Sequence, residues 1–204
     1  GFSYQGLTQL IAEEGAKAPD CMAPAMTGLN EDDHWSRDGG AYWWHLGLAW
    51  GLQLAALKKR RDGDWEAWEE INLSIEQGSY LREGPSLLGK HDPTGIEFKW
   101  LQQSNQVPKQ NWKCHKPLSS WLKQPMLLTG GWWDPHLKGI LEIYKLSLKA
   151  GGNPELHIGP ATHLEWWEEA QLLHLDFFKK HLQTNTQPKK ELPSKSLWNQ
   201  TTKV

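Results

Sequence analysis

Three short motifs hold the residues best suited to chemistry. Ser3 stands in Gly1-Phe2-Ser3-Tyr4-Gln5-Gly6, directly ahead of a segment with helical spacing. A nucleophilic serine on a sharp strand-to-helix turn needs small neighbours, because the backbone there is crowded and strained. The following helix start would aim free N–H groups at developing negative charge. Ser3 as a plain helix cap is the alternative. Asp134 stands in Gly130-Gly131-Trp132-Trp133-Asp134-Pro135-His136, just past an apolar run, where Asp-Pro is equally an N-cap signature. His163 ends Ile158-Gly159-Pro160-Ala161-Thr162-His163, past a second apolar run, and Thr162 with Glu165 could form a capping box there.

Taken together the three residues point to one reaction. A histidine accepts the serine proton, and a carboxylate fixes its tautomer and stabilises the imidazolium. The chain order Ser, Asp, His is that of α/β-hydrolases, not that of chymotrypsin or subtilisin. The 131 residues from Ser3 to Asp134 leave room for one strand and an inserted cap. The 29 from Asp134 to His163 hold one helix and one strand.

The elements that must position them follow from hydrophobic spacing. Helices are predicted over 4–14 (closed at Gly15), 42–61, 64–81 with Asp64 as cap, 136–150 closed by Gly151-Gly152, and 164–182. Residues 18–25 read as a brief strand or extended segment, 125–130 as a buried strand and 155–159 as another short strand. Residues 28–40 read as a polar loop, and 84–117 give no firm assignment. Lys58-Lys59-Arg60-Arg61 read as cations at a helix C-terminus. Strands alternating with helices imply a parallel sheet, whose site lies beyond the strands' carboxyl ends.

Composition narrows the classes. In 204 residues, 22 Lys+Arg nearly cancel 24 Asp+Glu, against a phosphate-neutralising nucleic-acid binder. No run of 18 apolar residues exists, so no membrane-spanning helix is expected. The two cysteines, Cys21 and Cys114, form no CxxC, and the nine histidines show no zinc-site spacing; neither metal nor cofactor is expected. Fourteen tryptophans against four Phe and four Tyr predict broad aromatic walls. The pairs 43/44, 132/133 and 166/167 are expected in the core and around an apolar acyl pocket, with sugar stacking as the alternative. Glu69, Glu70 and the acidic residues 31–33 are either exposed charge or a site for a substrate amine. A start at Gly1 and a polar, Pro-containing stretch over 183–196 read as the ends of a piece of a longer protein.

GFSYQG, GGWWDPHLKGIL and IGPATH closely resemble the serine, aspartate and histidine motifs of the X-Pro dipeptidyl-peptidase-like hydrolases, which include the cocaine-esterase type. Trp-Ser-Arg-Asp-Gly-Gly-Ala at 35–41 resembles the start of that family's helical cap. Gln5 departs from the simpler Gly-x-Ser-x-Gly elbow. The resemblance covers residues 1 to about 182 and implies Ser3 as nucleophile, Asp134 as acid, His163 as base and the Tyr4 backbone N–H as one oxyanion donor.

It also implies an α/β fold: a partial hydrolase core over 1–27 and 123–182, with a helical cap over 28–122. Residues 183–204 would be a linker and, at Leu197-Trp198, the start of a C-terminal jelly-roll domain. A tyrosine hydroxyl upstream of the serine would complete the oxyanion hole. The 204 residues alone are therefore expected to be inactive. The substrate would be a small ester or an X-Pro peptide, and the full-length protein could be a homo-oligomer. A catalytically silent chain or binding module that keeps the hydrolase residues is the alternative class.

Overall fold

Leu127–Gly131 is buried along its whole length, as a strand covered on both faces must be. It anchors the computed structural model, which describes residues 1–103 and 112–183. In chain order the elements are α1 (Tyr4–Thr8), a π-helical turn (Asp32–Ser36), β1 (Arg37–Asp38), β2 (Ala41–Tyr42) and α2 (Trp44–Arg61). Then come α3 (Trp65–Glu76), α4 (Tyr80–His91), α5 (Ile96–Gln102) and α6 (Ser119–Leu122). The chain continues through β3 (Leu127–Gly131), α7 (Leu137–Ala150), β4 (Glu155–Gly159) and α8 (Ala170–Leu182).

β3 and β4 pair in parallel, Leu127 opposite Glu155 through Gly131 opposite Gly159. Single parallel bridges extend the sheet outward: Met22 lies on Met126, just ahead of β3, Ala25 on Thr129 of β3, and Phe2 on Ala25. Leu7, Leu10, Met22, Met126, Leu128, Ile140 and Ile143 form the core of this side, closed by Trp35 and Trp100. α2, α3 and α4 pack as a lobe of their own. Leu48, Leu52, Ala55, Ala56, Ile71, Leu87 and Leu88 interlock there, and α5 contributes to both cores through Trp100 on one and Phe98 and Leu101 on the other.

Several sequence expectations shift. The first helix stops at Thr8, not residue 14, because the chain turns to bury Leu10 while Ile11 faces solvent. Residues 28–40 are no plain polar loop: His34, Trp35 and Ser36 are buried, and β1 pairs with β2 in a small hairpin. That hairpin delays the next helix to Trp44. Asp64 does cap α3, accepting from Ala67 N–H at 3.2 Å, but Gly78, at φ 72°, ends that segment before residue 81. The unassigned stretch 84–117 contains most of α4 and all of α5. α4 carries Pro85, which has no N–H for the Leu81 carbonyl four residues back. Trp44 Nε1–H donates to that carbonyl instead, at 2.8 Å. The last helix starts at Ala170, six residues later than its apolar pattern suggested. The linker and jelly-roll expectation over 184–204 lies outside the described residues. No helix among them is long and apolar enough to cross a membrane.

Candidate active site

Ser3 lies between the Phe2 bridge and α1, and its own N–H donates to Ala25 O at 2.9 Å. Its φ is 56° and ψ −128°, a conformation that costs a non-glycine residue of order 1–3 kcal/mol and persists only where the surroundings enforce it. The turn is closely packed against a neighbouring segment of the chain. A Cβ on Gly6 would stand 3.0 Å from the Thr27 side chain and 3.1 Å from Ala25 O, so any larger residue would have to push these neighbours back by a few tenths of an ångström. The Ser3 hydroxyl makes no cap bond to α1. It points instead to His163 Nε2, 2.9 Å away.

His163 Nδ1 lies 2.5 Å from Asp134 Oδ2. The carboxylate accepts, so Nδ1 carries the ring proton and Nε2 is free to accept from the serine hydroxyl. Asp134 is buried and divides its two oxygens: Oδ1 accepts from His136 N–H at 2.8 Å, while Oδ2 orients the histidine. Asp134 does not cap α7, whose N-cap is His136 without a side-chain bond; one carboxylate oxygen closes a local turn and the other orients the ring. Thr162 Oγ1 accepts from Glu165 N–H at 3.1 Å, but it closes a turn, since no helix begins there. Tyr4 N–H opens α1 with no described hydrogen-bond partner.

Beside the three residues sits a cavity of about 80 Å³, lined by Ser3 and His163 with Trp35, Trp43, Leu46, Gly47, Trp50, Glu97, Pro135 and His136. Two of these titratable groups escaped the sequence reading. His136 packs against His163 with ring centroids 5.0 Å apart and against Trp35 at 4.4 Å. Its Nδ1–H donates to His34 O at 2.6 Å, which leaves Nε2 an acceptor, and burial pushes the imidazole down to about 4. The loop that holds it is firmly seated. His34 Nδ1 accepts from Leu29 N–H and Asn30 N–H, at 3.0 and 3.1 Å. α7 approaches so closely that a Cβ on Gly139 would stand 2.4 Å from Thr27 O.

Glu97 is the second. It is buried on α5, and burial raises its carboxyl to about 7 against the weaker effects of the Tyr42 hydrogen bond and the Arg37 charge. Tyr42 O–H donates to Oε2 at 2.6 Å, while Oε1 is buried without a described partner. Its signal in the sequence was an acidic residue three positions before Trp100, on the face of Ile96–Gln102 that turns inward. The acidic residues singled out earlier are mostly committed elsewhere: Glu70 to Lys90 and His91, Asp33 to Lys138, Asp32 to Arg37. Glu69 is exposed. The tryptophan pairs divide. Trp43 lines the cavity and Trp166 stacks on Trp167, but Trp132 and Trp133 are 61% and 68% exposed and do not enter the core.

Residues 1–165 match the family model of the X-Pro dipeptidyl-peptidases (S15 family). The chain belongs to that family. No curated protein matches it. S15 membership makes this a hydrolase of the serine peptidase or esterase type, and its mixed helices and small sheets are consistent with an α/β-hydrolase. The S15 match spans both sides of the cavity, from the serine turn through the helical lobe to the histidine loop.

Proposed function

We propose that the chain carries the catalytic groups of a serine hydrolase that cleaves an ester or amide through an acyl-enzyme. Ser3 is the nucleophile, His163 the general base and acid, and Asp134 the carboxylate that orients His163. Residues 1–27 and 123–182 form the hydrolase core and 28–122 the inserted cap. The ends of that insertion run side by side, with Asn30 bridged to Cys114 and His115 N–H donating to Leu29 O at 2.8 Å, which supports the reading.

The observation that carries the proposal is a relay built on a strained serine. Ser3 Oγ–H faces His163 Nε2 at 2.9 Å, and Nδ1 is fixed by Asp134 at 2.5 Å. In the forward step Oγ bonds to the substrate carbonyl carbon while its proton moves to Nε2. The oxyanion accepts from Tyr4 N–H. His163 then gives the proton to the leaving atom as its bond to carbon breaks, and water repeats the sequence to release the acid. Glu97 supports an amine-bearing substrate, such as a dipeptidyl group, over a neutral ester. Its Oε1 is the cavity carboxyl oxygen left unpaired among the described residues, and an ammonium would complete it.

Asp134→Asn tests the assignment in the natural polypeptide that carries these residues. Asparagine caps a helix about as well as aspartate, so a capping role alone predicts near-normal turnover. The relay predicts an unchanged circular dichroism spectrum and a fall in kcat of about 10⁴, because the histidine is left in the wrong tautomer. Near-normal kcat in the Asn variant would remove Asp134 from the mechanism.

A further inference from the structure

Besides the relay, the cavity next to Ser3 is lined by a buried imidazole with one nitrogen to spare. His136 is only 5% exposed, and its ring is fixed on several sides. Nδ1–H donates to His34 O at 2.6 Å. The ring packs on Trp35 and His163, with Trp43 edge-on at 5.7 Å, and all three line the same cavity. With Nδ1 held by the backbone, Nε2 lies on the far side of the ring from His34 and presents a lone pair without a described partner. Asp134 does not supply one, since its carboxylate accepts from the His136 backbone N–H and from His163.

A second spare acceptor borders the same space, Glu97 Oε1 on α5. The space measures about 80 Å³. That is less than three times a water molecule's share of liquid water, about 30 Å³, so one small donor group can reach both walls.

We propose that Glu97 Oε1 and His136 Nε2 together hold the N-terminal ammonium of the acyl group, and that His136 sets the selectivity for substrates with a free amine. The inference rests on the Ser3–His163–Asp134 relay and on the role given to Glu97 above. It follows from counting donors. In an X-Pro dipeptidyl group the internal peptide nitrogen belongs to proline and carries no hydrogen. The backbone of such a group therefore has N–H donors only at its terminal ammonium, which has three. Five bonds separate that nitrogen from the carbonyl carbon that Ser3 attacks, so a group held at Ser3 brings its ammonium a short way along the same cavity. The Glu97 carboxylate balances the charge, and a neutral imidazole accepts a second N–H without adding charge of its own. An acyl group lacking the amine leaves both acceptors unpaired, and a site built to hydrogen-bond its substrate rejects such an analogue strongly.

The test compares the p-nitroanilides of alanyl-proline and propionyl-proline, which differ only in the ammonium. It uses the natural polypeptide that carries these residues. His136→Phe keeps a ring against Trp35 and His163, and His136→Gln places an amide oxygen where Nε2 was. Wild type is expected to prefer the alanyl substrate in kcat/KM. His136→Phe should lower that preference about tenfold or more, chiefly through KM, as loss of a hydrogen bond to a charged group requires. His136→Gln should keep most of it. An unchanged preference in His136→Phe overturns the proposal. So does an equal loss on both substrates in kcat, which would make His136 a support for His163 alone. If neither variant folds, the wild type decides: alanyl-pyrrolidide should shift the ¹⁵N resonance of His136 Nε2 and propionyl-pyrrolidide should not. The same response to both compounds overturns the proposal. Fluorophosphonate labelling separates the levels of failure. An unlabelled Ser3 removes the relay and everything built on it. A labelled Ser3 with no amine preference in the wild type removes the roles of Glu97 and His136, and a wild-type preference that survives His136→Phe removes that of His136 alone.

Discussion

The sheet side and the helical lobe of this molecule are built by opposite means. α2, α3 and α4 are consecutive, and their core of Leu48, Leu52, Ile71, Leu87 and Leu88 is assembled from neighbours in the chain. The sheet side draws Leu7, Met22, Leu29, Leu128 and Ile140 from segments far apart, around two five-residue strands and a few single bridges. Ser3, Asp134 and His163 all stand on the sheet side, each just past an extended segment. The lobe contributes Leu46, Gly47, Trp50 and Glu97 to the cavity wall. The proposed relay rests on long-range assembly, and the cavity wall opposite it on local assembly.

One way to break this division is to damage the lobe alone. Leu52 is completely buried, and Leu52→Ala should cost about 2–5 kcal/mol through lost burial and the cavity left behind. If the lobe is a unit of its own, amide exchange should accelerate over α2–α4 while the β3 amides keep their protection. Equal acceleration in β3 would show one cooperative unit instead.

A smaller effect sharpens the comparison, because each side buries one group whose titration has the opposite sign. Glu97, from the lobe, has its carboxyl raised from 4.5 to about 7. Between those values the folded state binds more protons than the unfolded, so its contribution to stability falls as pH rises, by up to about 3 kcal/mol. His136, from the sheet side, is lowered from 6.5 to about 4, so its contribution rises with pH over that window. The two slopes oppose one another between about 4.5 and 6.5 in the wild type. Glu97→Gln removes the falling one. Urea melts across pH 4–8 should show stability of the variant rising to near pH 6.5 and then level. A wild-type and variant profile of the same shape would mean that Glu97 does not titrate as its burial requires.

What was legible in the sequence follows the same division, with one reversal. The lobe's α2 and α3 showed in their periodicity and in the Asp64 cap, yet α4 did not, because Pro85 reads as a breaker unless Trp44 is known to satisfy the Leu81 carbonyl. The β3–α7–β4 unit was readable from apolar runs closed by Gly130-Gly131 and by Gly151, the latter left-handed at φ 89°. The motif residues Ser3, Asp134 and His163 were named from their local settings, and the fold brings them into one hydrogen-bonded line. Glu97 and His136 were not, because their roles depend on burial. A glutamate on a helix face and a histidine beside an Asp-Pro pair look ordinary until Tyr42, Arg37 and Trp35 close around them. The opposite error occurred at Trp132 and Trp133, which hydrophobicity assigns to the interior and the loop geometry turns outward.

The most direct test of the central claim is where a fluorophosphonate attaches. An ordinary serine hydroxyl is inert at neutral pH, so covalent capture reports activation by a neighbouring base. Peptide-level mass spectrometry of the labelled natural polypeptide should place a single adduct on Ser3, and His163→Ala should abolish it while circular dichroism is unchanged. An adduct on another serine, or labelling of Ser3 that persists at the same rate in the His163→Ala variant, would contradict the account.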